Sequence, residues 1–287
     1  LLGIATSGVN DSPEELESLS EVSYTHTSTS MNEPGFQKQS IFTDSSVDVG
    51  GNHACLITDD NILRCWGSNN RGQLGDGTTV DKTIQNASYP FENLTTKSVI
   101  SGSDHACAIL SNGTLYCWGY NGYGRLGDGT ESIRYSPTRV LLDSNRTVIT
   151  AAAGSAHMCA ILDDSSLFCW GINDFGQLGV GYTNGTNGVT IPVQVNLASN
   201  EKPIAVSVSA THTCIILNEG SMKCWGQNSQ GQLGDQTTFD RHTPVNVLGL
   251  GEETVAISTA SSSTCALLKS GWVNCWGWSS YGALGSN

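Results

Sequence analysis

The sequence predicts an all-β protein built as a propeller, with five repeats of four short antiparallel strands. Three observations carry this prediction. The ten cysteines fall into five pairs, each pair ten residues apart: Cys55 with Cys65, Cys107 with Cys117, Cys159 with Cys169, Cys214 with Cys224, and Cys265 with Cys275. Trp-Gly follows the second cysteine every time, and the first cysteines recur at intervals of 52, 52, 55 and 51 residues. Only 14% of residues are charged, against about 25% in an ordinary soluble domain, while glycine supplies 33 of the 287 residues. Few charges and many turn formers favour short strands over helices.

Each element follows from local pattern. In the second repeat, Ala108-Ile-Leu110 and Leu115-Tyr-Cys117-Trp118 read as strands flanking the turn Ser111-Asn112-Gly113. The equivalent turns are Asp59-Asp-Asn61, Asp163-Asp-Ser165, Asn218-Glu-Gly220 and Lys269-Ser-Gly271. Their third residue is Gly, Asn or Ser, as a hairpin closed by a type I turn and a left-handed residue requires. Counting outward from the turn places Cys107 opposite Cys117, and the other pairs likewise. Opposed cysteines on adjacent strands lie near disulfide reach. A strand precedes each pair (Val99-Ile100, Val148-Ile149, Val206 to Val208, Val255 to Ile257), and another follows a proline (Pro137, Pro192, Pro244). Four short strands in about 50 residues is one propeller blade.

The repeat His-x-Cys, then Cys-Trp-Gly, then a Gly-Gln-Leu-Gly tail carries a family resemblance. Its copies include His53-Ala-Cys55, Cys65-Trp66-Gly67 and Gly72-Gln-Leu-Gly75, and His105-Ala-Cys107 with Gly124-Arg-Leu-Gly127. Over residues 34–287 this resembles the RCC1 (regulator of chromosome condensation) family of β-propellers. Two departures stand out: the paired cysteines are foreign to the nuclear members, and five repeats fall short of their usual seven. The fold expected is therefore an RCC1-like β-propeller with one disulfide inside the hairpin of each blade.

The sequence begins and stops in one phase of the repeat. Leu2-Gly3-Ile4-Ala5-Thr6 aligns with Leu74-Gly75-Asp76-Gly77-Thr78, and Pro34 stands 16 residues before Gly50 as Pro137 stands 17 before Gly154. Residues 34–42 are thus expected to supply the fourth strand of the last blade and close a five-bladed ring; the alternative is an excerpt of a longer array. Residues 1–33 are expected to be an acidic insertion after a partial repeat, with Asp11, Glu14, Glu15, Glu17 and Glu21 and a helical turn near 12–18. Residues 34–287 form the propeller, in repeats of about 43–95, 96–147, 148–202, 203–253 and 254–287.

Several chemistries are open to these residues. The cysteines read as structural disulfides; the competing reading is metal binding, because His and Cys at i and i+2 share a strand face. Zinc would need a fourth ligand, and the fifth copy, Ser263-Thr-Cys265, keeps both cysteines without the histidine. A disulfide in every repeat implies an oxidising compartment, hence an extracellular or cell-surface location. Six Asn-x-Ser/Thr sequons agree with that: Asn10, Asn86, Asn93, Asn112, Asn145 and Asn184 are candidates for N-glycosylation. His53, His105, His157 and His212 are, as the resemblance implies, a ring of core histidines bonding neighbouring backbone rather than catalysts. The Asp-Gly-Thr segments at 76–78 and 128–130 offer one carboxylate per loop and read as tight turns. No Gly-x-Ser-x-Gly elbow, phosphate loop or His-Glu-x-x-His is present, so no catalytic residue, metal or cofactor is expected.

Function follows by elimination. A net charge of −13 disfavours nucleic acid and anionic lipid, and no apolar stretch of about 18 residues predicts membrane insertion. The expectation is a non-enzymatic extracellular structural or adhesive module, a subunit of a cell-surface filament, sheath or appendage, with a protein partner or self-assembly and with glycans. The alternative is a secreted, inhibitor-like protein-binding module using the loops after each Trp-Gly, whose aromatic anchors are Tyr120, Tyr123, Phe175, Trp278 and Tyr281. Guanine-nucleotide exchange, the founding member's activity, is the remote third reading, because disulfides are out of place in a nucleus.

Overall fold

The hairpins form where the turn residues place them. The computed structural model describes residues 47–87, 91, 94–143 and 145–285, all within one compact unit. The third turn residue is left-handed in all five hairpins: Asn61 (φ 62°), Gly113 (76°), Ser165 (66°), Gly220 (85°) and Gly271 (92°). In register from these turns, the two cysteines of every pair stand directly opposite each other. Disulfides join Cys55 to Cys65, Cys107 to Cys117, Cys159 to Cys169, Cys214 to Cys224 and Cys265 to Cys275, with Cα–Cα separations of 4.0 to 4.1 Å.

Around each hairpin the chain adds one strand on either side, giving antiparallel sheets in sequence order. Blade 1 comprises β1 (Val47–Val49), β2 (His53–Ile57), β3 (Leu63–Gly67) and β4 (Lys82–Ala87). Blade 2 comprises β5 (Thr96–Ser101), β6 (His105–Leu110), β7 (Leu115–Gly119) and β8 (Arg134–Arg139). Blade 3 comprises β9 (Val148–Ala153), β10 (His157–Leu162), β11 (Leu167–Asn173) and β12 (Gly185–Gln194). Blade 4 comprises β13 (Pro203–Val208), β14 (His212–Leu217), β15 (Met222–Gly226) and β16 (Arg241–Asn246). Blade 5 contributes β17 (Thr254–Thr259), β18 (Ser263–Leu268) and β19 (Val273–Gly277) among the described residues. The outer strands begin before their prolines, β8 three residues ahead of Pro137, because the ladder already engages Gly119 opposite Arg134. The expected strand at 34–42 and the acidic insertion lie outside the described residues. The inner strands converge on a central cavity of about 320 Å³, lined by Val49, Ser101, Ala153, Val208 and Ala260 among others.

The core lies between blades rather than within them. One face of each blade presents its disulfide, a residue each of the second and third strands and the leucine of the tail. In blade 3 these are Cys159 and Cys169, Ile161, Leu167 and Leu178, packed against Ile215, Leu217 and Trp225 of blade 4. In blade 4, Cys214 and Cys224 pack with Ile216, Met222 and Leu233 against Ala266 and Leu268 of blade 5. The same two faces meet between blades 1 and 2, and between blades 2 and 3. A polar bond pins each joint: Trp118, Trp170, Trp225 and Trp276 donate Nε1–H to the carbonyls of Gln73, Arg125, Gln177 and Gln232 in the preceding blade's tail, at 2.9 to 3.0 Å. The tail glycine must be glycine. Gly127 (φ 67°) presses on the Trp170 indole, and a Cβ there would lie 2.8 Å from Nε1.

Two such faces are exposed. On blade 5, Leu267 and Val273 (59% exposed) occupy positions that are buried in blades 2 to 4, and the disulfide between Cys265 and Cys275 is only half-buried. On blade 1, Val47 is 57% exposed, whereas Val99 at the same register in blade 2 is wholly buried. Beside β19 a cavity of about 590 Å³ is lined by Gly231, Gln236, Val247, Leu250, Trp276 and Leu284. In blades 2 to 4 the outer strand occupies this position. There it accepts an N–H bond from Gly77, Gly129 or Gly181 of the blade before it.

Replacing Trp170 by Phe keeps the ring but strands the buried Arg125 carbonyl, and is expected to cost about 1–3 kcal/mol. Trp272→Phe, at a side chain 74% exposed, should stay within about 0.5 kcal/mol. Denaturant unfolding of the two variants checks the contrast.

Candidate functional site

The loops that leave the third strands share one end of the sheets. Their amides at Ser68, Tyr120, Ile172, Gln227 and Trp278 donate to the carbonyls of Asn52, Asp104, Ala156, Thr211 and Ser262, which fixes a common rim. Within each of the first four loops a buried asparagine acts as a clamp. Asn121 accepts the Leu126 N–H on Oδ1 and donates Nδ2–H to Asp128 Oδ1 and the Thr130 carbonyl, each at 3.0 Å. Asn69 and Asn228 repeat the arrangement with Asp76 and Asp235. Asp128 also accepts from Arg134 Nε at 2.6 Å. Burial alone would raise the Asp128 pKa, but Arg134, Thr130 and Asn121 together hold it below the ordinary carboxylate value. These carboxylates are spent inside the Asp-Gly-Thr turns at 76–78 and 128–130 and the Asp-Gln-Thr turn at 235–237.

The five aromatic residues do reach this rim, in different settings. Tyr120 stacks with two guanidinium groups, Arg71 at 4.8 Å and Arg125 at 4.6 Å from its ring centroid. Arg125 is itself buried, donating Nε–H to the Gly122 carbonyl and Nη1–H to the Ser155 carbonyl. Tyr123, left-handed at φ 63°, and Phe175 are half-buried. Trp278 and Tyr281 form a T-shaped pair with centroids 6.0 Å apart, and Tyr281 is 99% exposed. In blade 5, Ser279 stands where the other loops have the asparagine clamp. The structure groups Tyr120 and Tyr123 with the two arginines on blades 1 and 2, and sets Trp278 and Tyr281 apart on blade 5. The arginines escape a search for aromatic anchors. The visible signal is that Arg125 replaces the glutamine of the Gly-Gln-Leu-Gly tail.

Behind the rim lie the histidines, and here the resemblance misled. The ring partners of His157 and His212 are hydroxyls, from the next blade and, for His212, also from its own, not backbone. His157 Nε2 meets Thr213 Oγ1 at 2.8 Å, His212 Nε2 meets Thr264 Oγ1 at 2.9 Å, and Ser209 Oγ meets His212 Nδ1 at 2.7 Å. Among the described residues His53 and His105 find no partner for either nitrogen, because the residues at the threonine position are Ala106 and Met158. Burial, the main cause throughout, lowers the pKa of His53 and His212 to about 4 and of His157 to about 3. His105 is driven well below 6.5 by burial and then by the Arg125 charge. All ten cysteine sulfurs are consumed by the disulfides, Cys169 and Cys224 with the rest. Among the described residues no group of three His, Cys, Asp or Glu side chains could hold a metal ion.

Of the sequons, Asn112 and Asn145 are exposed in turns, Asn184 is half-buried before β12, and Asn86 lies within β4. Asn10 and Asn93 lie outside the described residues.

Five sheets of antiparallel meander around a common axis define a β-propeller whose rim presents loops and no assembled catalytic group among the described residues. The chain belongs to the RCC1-like domain family, whose signature matches residues 3–287. It is 30% identical over 240 residues to the ultraviolet-B receptor UVR8 of Arabidopsis thaliana, covering 83% of this chain and 54% of that protein. It is 29% identical over 244 residues to the human E3 ubiquitin-protein ligase HERC2, covering 84% of this chain but 5% of the ligase. Yeast RCC1 (Prp20), in its structure with Kap60, superposes with a TM-score of 0.73 at 19% identity, over 83% of this chain and 56% of that one. The chain thus spans about half the length of UVR8 and of yeast RCC1.

The depressed histidine pKa values predict acid lability. The native chain refuses protons that the unfolded chain accepts near pH 6.5, so stability is full above that pH and declines as pH falls toward 4, by about 1.4 kcal/mol per pH unit per histidine. Melting temperature against pH should fall in this window, and less steeply in His105→Leu; a flat profile would refute the assignment.

Proposed function

We propose that this propeller acts outside the cell as a non-enzymatic protein-binding module that builds a surface filament, sheath or appendage from copies of itself. The observation that carries this reading is the exposed apolar face of blade 5. Leu267 and Val273 there occupy positions that in blades 2 to 4 are buried in a joint the molecule makes four times internally. An apolar face of this kind calls for cover by protein, here a further copy of the chain. Five buried or half-buried disulfides suit an oxidising location.

A second reading, a binder that docks a different protein on its rim, is favoured by the exposure of Tyr281 and Trp278. Yeast RCC1 bound to Kap60 shows that the fold can serve in a protein complex. Size-exclusion chromatography with light scattering separates the two. Wild type should assemble with rising concentration, and Val273→Asp should be monomeric with unchanged circular dichroism. A wild-type monomer at every concentration defeats the assembly reading and leaves the rim.

A further inference from the structure

Two of the sequons are brought together by the fold. Asn112 crowns the turn between β6 and β7; its Oδ1 accepts the Thr114 N–H at 3.0 Å, and its Nδ2 makes no hydrogen bond among the described residues. Asn145 lies in the turn between β8 and β9, where its backbone N–H donates to Asp143 Oδ1 at 3.0 Å. The two turns abut. Val148 donates its N–H to the Gly113 carbonyl at 2.9 Å, and a side chain at Gly113 would run into Thr147. The tripeptides Asn112-Gly-Thr114 and Asn145-Arg-Thr147 are therefore neighbours, although 33 residues separate their asparagines in sequence.

Their position is as informative as their proximity. Both sit at the hairpin end of the sheet, and β6 runs six residues, about 17 Å, from there to the rim. The environment is polar: Arg146 pairs with Asp163 and Asp164 of the adjoining hairpin. The other described sequons are less suited to a bulky substituent. Asn86 is held in the ladder opposite Cys65, and Asn184 is half-buried, with its backbone N–H donating to the Asn173 carbonyl.

We propose that Asn112 and Asn145 both carry N-linked glycans, which form one sugar-covered patch over the hairpin end of blades 2 and 3 and leave the rim and blade faces bare for protein. The donor is a lipid-pyrophosphate-linked oligosaccharide. Each Nδ2 forms a bond to the anomeric carbon, the bond from that carbon to phosphate oxygen breaks, the lipid pyrophosphate leaves, and one Nδ2 proton passes to base. The proposal rests on the extracellular reading above.

The test is expression of the full chain behind a secretion leader in eukaryotic cells, with intact mass and peptide mapping before and after enzymatic deglycosylation. Glycan is expected at both asparagines. Asn112→Gln and Asn145→Gln should each remove one glycan, as should Thr114→Ala and Thr147→Ala, which keep the asparagines in place. Secretion with five disulfides formed but either asparagine bare overturns the proposal and spares the extracellular reading. Retention in the cell with free thiols overturns both.

Discussion

The fold depends on a joint between consecutive repeats, made by one indole and one glycine. Trp170 reaches across to the Arg125 carbonyl while Gly127 of the same tail lies flat on its ring, and three other joints repeat the contact. A single blade stapled by its disulfide would expose its apolar face, so stability is shared between nearest neighbours as in other repeat proteins. The disulfides act on a different scale. They lock hairpins whose strands are already adjacent, and set the register that holds each tryptophan at the joint.

The repeats are not equivalent, and the differences map onto chemistry. From blade 3 onward each histidine that faces a following blade finds a threonine hydroxyl, while in blades 1 and 2 the imidazoles face Ala106 and Met158 and have no hydrogen-bond partner among the described residues. Unpaired buried nitrogens are costly, so the first half of the propeller stores less polar satisfaction than the second. The rim follows the same division. An arginine–tyrosine–arginine stack, partly buried, occupies blades 1 and 2, and a solvent-exposed aromatic pair occupies blade 5, where the asparagine clamp is replaced by Ser279.

Three surfaces emerge with distinct physical character. The rim is aromatic and locally cationic, on a chain whose net charge is −13. The exposed face of blade 5 is apolar, with a cavity beside β19. The hairpin end is polar, with paired charges around Arg146. Apolar faces of this kind demand cover in water, while the hairpin end asks for none.

The repeat period, the hairpin turns and the cysteine pairing were legible from the sequence because each is set within about ten residues. Gly113 or Ser165 fixes a turn, and counting from it puts Cys107 against Cys117, or Cys159 against Cys169, with no knowledge of anything distant. What lies across a blade boundary was not legible. The hydroxyl partners of His157 and His212 sit in the next repeat, so the resemblance suggested backbone instead. Arg71 and Arg125 stack with Tyr120 from two different repeats, and Tyr281 differs from Tyr123 in exposure though both occupy the same loop phase and are left-handed. Exposure is a property of the neighbour, not of the residue. Sequence alone therefore determined the blade, and only packing blade on blade decided which of its repeated side chains are core and which are surface.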